Sequence, residues 1–297
     1  MKKKAWTEIF MQGVFFVAAC TSVLAVVLIC LFLFANGIPA MKEIGFGAFL
    51  RGEVWKPNND IYGIFPMILG SIYVTAGAIL IGVPIGILTA VFMAFYCPKR
   101  VYKPLKTATE LLAGIPSVVY GFFGVVVLVP LIRSMGQALR SAGVVRSAGS
   151  GSSILTASLL LGMMILPTVI GLAESSLRAV PTQYYEGAVA LGATHERAIF
   201  RVLLPAAKSG VMAAVVLGIG RAIGETMAVI MVAGNHARMP VGILKGIRTL
   251  TANIVMEMGY AAGLHREALI ATGVVLFVFI LIINFSVAML NRRNEHE

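Results

Sequence analysis

Few side chains in this 297-residue sequence combine charge with an apolar setting, and two of them stand four positions apart in Gly218-Ile219-Gly220-Arg221-Ala222-Ile223-Gly224-Glu225-Thr226. An arginine near the middle of a bilayer costs about 2.5 to 3.5 kcal/mol on insertion scales, so Arg221 needs a partner. Glu225 would share its face of a continuous helix and supply the opposite charge. The flanking glycines leave that face bare, and a guanidinium presents a planar fork matched to phosphate or carboxylate oxygens. Two readings follow. Arg221, Glu225 and Thr226 lie on the path of an anion, or Arg221 and Glu225 form an ion pair that orders a helix bundle, a task that apolar residues would perform at lower cost.

A second informative stretch is Glu186-Gly187-Ala188-Val189-Ala190-Leu191-Gly192, then nine residues, then Val202-Leu203-Leu204-Pro205. Pro181 suits the first turn of a helix. The small residues Gly187, Ala188 and Ala190 let that helix press closely on another surface, Gly192 supplies a sharp turn, and Pro205 redirects the chain. Other chemistry is missing from the sequence. It contains no phosphate-binding G-x-x-x-x-G-K-[ST], no H-E-x-x-H, no serine elbow and no Cys/His cluster of metal-binding spacing, so no catalytic or metal-ligating residue is assigned and the chain cannot hydrolyse ATP alone. Cys20, Cys30 and Cys97 fit neither a disulfide framework nor a zinc site. His195, His236, His265 and His296 fall in expected loops or the tail and read as solvated.

The elements that must position these residues are membrane spans. Hydrophobic residues make up 59% of the chain, charged residues 12%, and the mean hydropathy is +0.91, which leaves too few polar side chains to cover a water-exposed surface. The net charge of +11 does not point to nucleic acid, because the basic residues are scattered between apolar runs. Runs of about 20 apolar residues, the length needed to cross a bilayer, lie near 10 to 35, 64 to 96, 107 to 132, 152 to 173, 208 to 233 and 268 to 290. The expected fold class is therefore all-α integral membrane with six helices. The second is overlong and interrupted by Gly82, Pro84 and Gly86, so it is expected to be kinked, tilted or preceded by a short interfacial piece. Dense basic clusters at Lys2 to Lys4 and at Lys99, Arg100, Lys103 and Lys106 place both termini in the cytoplasm. The organisation is then a cytoplasmic N-terminus, 1–9, a six-span domain, 10–291, with a cytoplasmic loop at 174–207, and a cytoplasmic tail, 292–297. Lys2 to Lys4 with Val17-Ala18-Ala19-Cys20 imitates a lipoprotein signal, but the apolar run continues through Phe34 and an uncleaved first span is expected. Ser134 to Ser153 reads as a flexible outer loop, and Ala252 to Gly263 as a short outer helix. Glycine pairs at 82/86, 220/224 and 259/263 permit close helix packing.

The 186–205 spacing resembles the EAA loop of ABC importer permeases, with Gly187 and Val202 as mild departures. Together with Leu112-Ala113-Gly114-Ile115-Pro116-Ser117-Val118-Val119-Tyr120-Gly121 and Arg221-Ala222-Ile223-Gly224-Glu225-Thr226, it resembles the membrane subunits of Pst-type phosphate importers. Trp55-x-Pro57 and Tyr62-Gly63-Ile64-Phe65-Pro66 are more similar to the PstC type than to the PstA type, and the likeness runs from about Trp55 to Phe277. The resemblance implies half of a heterodimeric pore of the type I, MetI-like kind in a bacterial or archaeal cytoplasmic membrane. It places Arg221 and Glu225 at phosphate passage and Glu186, Gly187, Ala188, Gly192, Leu204 and Pro205 at the ATPase contact. Implied partners are a second, PstA-like permease, a dimeric PstB-like cytoplasmic ATPase that holds ATP and magnesium, a PstS-like phosphate-binding protein outside, and membrane lipid, with no cofactor in this chain. Sulfate or molybdate would satisfy one arginine equally well, and a secondary anion transporter working alone is the rival that the coupling loop opposes.

Overall fold

The computed structural model describes residues 2–145 and 147–293. The chain is helical apart from one short hairpin and its connecting segments. Helix α1 (Lys2–Ile44) runs without interruption through Cys20, and α2 (Phe46–Arg51) turns the chain. Strands β1 (Trp55–Lys56) and β2 (Ile61–Tyr62) form an antiparallel hairpin that pairs Trp55 with Tyr62. Helix α3 (Phe65–Val91) follows, closed by a wide turn at Phe92–Tyr96. Next come α4 (Lys99–Gly114), α5 (Ser117–Phe123) and α6 (Val129–Ser141), then α7 (Ile154–Arg178). The segment after α7 carries α8 (Thr182–Ala190), α9 (His195–Ala198) and α10 (Leu204–Ala206). Helices α11 (Lys208–Gly224), α12 (Met227–Val232), α13 (Leu250–Glu257) and α14 (Gly263–Arg293) complete the chain.

Among the described residues, five helical segments are long and apolar enough to cross a membrane: Phe10–Ile44, Phe65–Tyr96, Ser117–Ser141, Ile154–Arg178 and Gly263–Ser286. A pair bent by 70°, His195–Ala206 with Lys208–Gly224, raises the number to as many as six. The all-α architecture read from the sequence is therefore observed, with corrections inside it. The third span begins at Ser117 and not near 107, because Pro116 disfavours helical geometry in Ile115, whose ψ of 125° is extended. Upstream, α4 carries Arg100, Lys103 and Glu110 on exposed positions and is an amphipathic arm, not half of a span. The fifth span, expected to be continuous over 208 to 233, breaks after Gly224.

Helix α3 stays helical through Pro84, and its glycines serve packing. A Cβ on Gly82 would lie 2.7 Å from the Gly162 carbonyl oxygen, and one on Gly86 would lie 2.8 Å from the Val169 side chain, both on α7. The two backbones approach as closely as missing side chains permit, the usual means of helix association where lipid removes a hydrophobic driving force. Around this seam, Val74, Ala78, Leu160, Leu161 and Ile165 form a buried core joined by Val229 and Val232 of α12. The 220/224 and 259/263 pairs face open space and do not pack in this way. At the chain ends, α1 and α14 pack where Gly37 meets Ala271 and Val274, with Phe34 edge-on to Phe277 at 6.0 Å.

The expected flexible loop at 134–153 is helical to Ser141, and the rest is fastened to the outer segment before α13. Lys245 Nζ donates to Ser147 at 2.8 Å, while Gly149 lies against the Leu244 carbonyl. The short outer helix expected at 252 to 263 is α13, which begins two residues earlier and is capped by the Thr249 hydroxyl accepting from the Ala252 N–H. The histidine expectation fails at His265, which is half-buried in the first turn of α14 and bonded to Glu257; His195 and His236 are exposed, and His296 lies outside the described residues, as does part of the 292–297 tail.

Gly82→Val should lower the thermal stability of the purified protein by about 1 to 3 kcal/mol, the usual cost of overpacking. Gly13→Ala, whose Cβ meets nothing within 4 Å, serves as the control in the same melting experiment and should cause no loss.

Candidate functional site

Helix α11 ends at Gly224 because Glu225 turns extended, with φ −69° and ψ 129°. Arg221 therefore sits in the last turn of α11, where a cation complements the negative end of the helix dipole. Its guanidinium is half-buried and donates from one terminal nitrogen to Thr168 Oγ1 of α7 at 3.0 Å. The expected same-face pairing with Glu225 is corrected by this geometry. Among the described residues the two make no ion pair, because the carboxylate has left the helix that carries the arginine. Glu225 instead caps the next helix, its Oε1 accepting from the Thr226 and Ala228 N–H groups at 3.1 and 3.4 Å. Thr226 donates its hydroxyl to the Gly224 carbonyl at 3.2 Å, and Thr251 at the start of α13 donates to the Glu225 carbonyl at 3.2 Å.

The three pathway residues named from the sequence thus come together at one helix break, though not as an ion pair. A Cβ on Gly220 or Gly224 would meet nothing within 4 Å, so open space adjoins the arginine. Non-helical backbone at membrane depth is tolerated where it is enclosed by protein or lines a water-filled cavity. The site thus offers a guanidinium with donors beyond the one spent on Thr168, beside a bare backbone, and this arrangement can contact an oxyanion. Thr168 carried no sequence signal of its own.

The second set lies on the segment between α7 and α11. Helix α8 ends in a left-handed glycine, Gly192 at φ +84°, whose N–H bonds the Val189 carbonyl at 2.9 Å while the Ala193 N–H bonds the Ala188 carbonyl at 3.0 Å. This paired pattern closes the helix tightly. Leu191 projects from the turn at 91% exposure, with Tyr184 and Val189 also exposed, so the end of α8 presents an apolar knob. Glu186 and Gly187 are exposed, and Ala188 faces inward. His195 holds the returning chain, its Nδ1 3.0 Å from the Tyr185 hydroxyl and its ring 5.1 Å from that of Tyr96. Leu204 packs on the cluster of Leu177, Ile199 and Leu203, Pro205 is exposed, and the 70° bend falls beyond Ala206, slightly after the proline expected to cause it.

Sequence reading missed two buried carboxylates. Glu174, near the end of α7, accepts from Tyr102 at 2.8 Å, from Lys106 at 2.7 Å and from Arg178. Hydrogen bonding to that carboxylate lifts both Tyr102 and Lys106 above their ordinary pKa values. Beside the hairpin, Glu257 accepts from Trp55 Nε1 at 2.8 Å, lies 2.9 Å from His265 Nε2 and pairs with Arg248, which ties the hairpin to α13 and α14. Burial, with help from a hydrogen bond to Asp60, pushes the neighbouring Tyr62 up to about 12. Neither glutamate carried a motif, and only its fourfold spacing to Arg178 marked Glu174 as part of a helical pair.

Residues 82–296 match the family described as binding-protein-dependent transport system inner membrane component. The chain belongs to that family. Among curated relatives, it is 36% identical over 261 residues to the phosphate transport system permease protein PstC of Mesorhizobium japonicum, covering 84% of this chain and 80% of the relative. It is 38% identical over 286 residues to the probable ABC transporter permease protein YqgH of Bacillus subtilis, covering 92% and 89%. A probable PstC of Methanocaldococcus jannaschii is 34% identical, covering 91% and 89%. The fold is shared with a bacterial alginate ABC transporter at a TM-score of 0.59 and 17% identity, covering 94% of both chains. It is also shared with an inward-facing methionine transporter, MetNI, at 0.57 and 18%, covering 81% of this chain and 99% of that one. The protein is accordingly a multi-pass membrane permease of the ABC importer kind, and membership implies an ATPase, a binding protein and a second permease as partners.

The knob on α8 generates a prediction about the ATPase. Leu191→Glu should reduce the ATPase retained on copurification about tenfold, the scale of losing one buried anchor, at unchanged membrane expression. Gly192→Val, forced into a left-handed conformation that costs about 1 to 2 kcal/mol, should weaken the same contact less.

Proposed function

We propose that the chain is a PstC-like permease subunit of an ATP-driven importer of inorganic phosphate, forming half of the pore with a PstA-like partner. A dimeric PstB-like ATPase holds ATP and magnesium and engages α8, and a PstS-like binding protein delivers phosphate from outside. The observation that carries this reading is Arg221 at the break between α11 and α12, with no carboxylate partner among the described residues and beside open space. An arginine neutralised by Glu225 would have little to offer an anion, whereas this one is held in place by a neutral hydroxyl and keeps its charge. The relatives named for phosphate transport support the choice of phosphate over sulfate or molybdate.

Transport needs a contact that is favourable enough to admit the anion and weak enough to release it. One guanidinium steadied by Thr168 meets that requirement better than a closed cage of donors. Glu225 and Thr226 hold the break open by satisfying its backbone. Closure of the ATPases would draw the α8 helices together, and the pore would then open outward. Glu186, Gly187, Ala188, Gly192, Leu204 and Pro205 shape that contact: Gly192 fixes the turn from which Leu191 projects, and Leu204 seats the return.

Uptake of radiolabelled phosphate tests the reading. Arg221→Gln should reduce uptake at least about a hundredfold, the loss of an unreplaced charged contact, with the complex assembled and its ATPase responsive to nucleotide. Arg221→Lys should be impaired as well, because it loses the fork. Thr168→Val should lower uptake about tenfold, and Thr168→Ser should restore it. Adding Glu225→Gln to Arg221→Gln should recover nothing; recovery by that double variant would establish a structural pair and overturn the anion contact. Competition by excess sulfate or molybdate that matched unlabelled phosphate would overturn the choice of substrate.

The proposed orientation, with both termini in the cytoplasm, has its own check. In a background lacking Cys20, Cys30 and Cys97, an impermeant thiol reagent on intact cells should label a cysteine at 245 and spare one at 101.

A further inference from the structure

Glu174 is only 1% exposed, yet its carboxylate takes three donors from two helices: Tyr102 and Lys106 of α4, and Arg178 of its own α7. Arg178 reaches further. Its second terminal nitrogen donates to the Met93 carbonyl at 2.8 Å, in the wide turn that closes α3, and its guanidinium carbon stands 4.5 Å from the centroid of the Tyr102 ring. One buried carboxylate therefore joins the cytoplasmic ends of α3, α4 and α7. Only Ala179, Val180 and Pro181 separate this junction from α8.

The far end of α4 touches the pore side of the molecule. The Tyr120 hydroxyl of α5 donates to the Leu112 carbonyl at 2.9 Å. Helix α5 then packs against α12, where a Cβ on Gly121 would stand 3.1 Å from the Ala228 Cα, and Ala228 is the residue whose N–H is capped by Glu225. A three-residue connection thus joins α8 to the Glu174 junction, and contacts run from there through the α4 arm to the helix break beside Arg221.

We propose that Glu174 is a positioning residue for energy coupling: it binds α4 to the last turn of α7, so that a displacement of α8 moves the α4 arm as one body and reaches the break through Leu112 and Tyr120. The proposal rests on α8 being the ATPase contact and is independent of which anion is carried. Burying a carboxylate for stability alone is poor value, since a well-packed apolar group of similar size serves as well or better. What the ionic junction adds is a fixed orientation, because three donors from different directions leave the carboxylate one position.

The test uses the whole importer with native cysteines replaced and spin labels at positions 103 on α4 and 189 on α8. With Glu174 intact, the distance between the labels should be the same without nucleotide and with ATP. In Glu174→Gln, which keeps the size and loses the charge, the distance should broaden and change with ATP, and uptake per ATP hydrolysed should fall about tenfold or more. Glu174→Asp should recover part of the coupling. A merely stabilising carboxylate would lower yield and melting temperature and leave the ratio of uptake to hydrolysis unchanged in whatever complex assembles, and that result overturns the proposal. So does an ATP-dependent change of distance with Glu174 intact. Should Glu174→Gln fail to assemble, Lys106→Gln leaves the carboxylate paired with Arg178 and Tyr102; unaltered coupling in that variant also overturns the proposal. A crosslink from a cysteine at 191 to the ATPase separates the two failures: its presence keeps the α8 contact standing while Glu174 falls, and its absence removes the contact itself.

Discussion

A helix that stops inside a membrane exposes carbonyls and N–H groups that lipid cannot satisfy, and each unpaired group costs several kcal/mol. The break between Gly224 and Met227 is where this constraint bears hardest. Its solution recruits side chains from both directions along the chain: the Glu225 carboxylate for the N–H groups of α12, the Thr226 hydroxyl for the Gly224 carbonyl, and Thr251 for the carbonyl of Glu225 itself. Thr251 reaches the break because the outer segment folds back into the bundle as α13, whose first N–H is received by Ser71 of α3 at 3.0 Å. Arg248, Asn253 and Glu257 hold that segment in place. Much of the outer half of the molecule can be read as the means of keeping two turns of helix apart.

With the break secured, the scaffold around it is conventional. Helices α3 and α7 meet along glycines, α11 lies against α7 where Gly218 admits Val169, and Thr168, one residue before Val169, receives the arginine. The arginine's position thus depends on packing: a bulkier residue at 218 would push α11 off α7 and carry the guanidinium away from its hydroxyl. Close packing and the polar contact are two results of the same approach of two backbones.

Spans, the tight end of α8 and the arginine were legible because each leaves a local mark: an apolar run, a glycine and proline at fixed spacing, a charge where charge is costly. The helix end at Gly192 could be read from residue type alone, since a left-handed turn favours glycine. The break at Glu225 could not, because Ala222-Ile223-Gly224-Glu225-Thr226 contains no proline and its unwinding depends on Thr251, twenty-six residues away. The start of the third span was misplaced although Pro116 was in view, since apolar residues on both sides of the proline hid the change from surface arm to span. Glu174 and Glu257 were overlooked for a related reason. A glutamate becomes structural through its partners, and each of these two has one that is distant in the chain, Tyr102 at 72 positions from Glu174 and Trp55 at 202 from Glu257.

The packing of α1 on α14 joins the first helix of the chain to the last. The atoms nearest a Cβ on Gly37 would be those of Ala271 and Val274, and Phe34 stands edge-on to Phe277. During synthesis α1 must therefore wait in the bilayer while every intervening helix is inserted, and contacts between distant parts of a chain are slow to close. A ribosome that stalls or a chain that is cut before α14 leaves the Gly37 face of α1 turned to lipid, so this pair of helices reports whether synthesis reached α14.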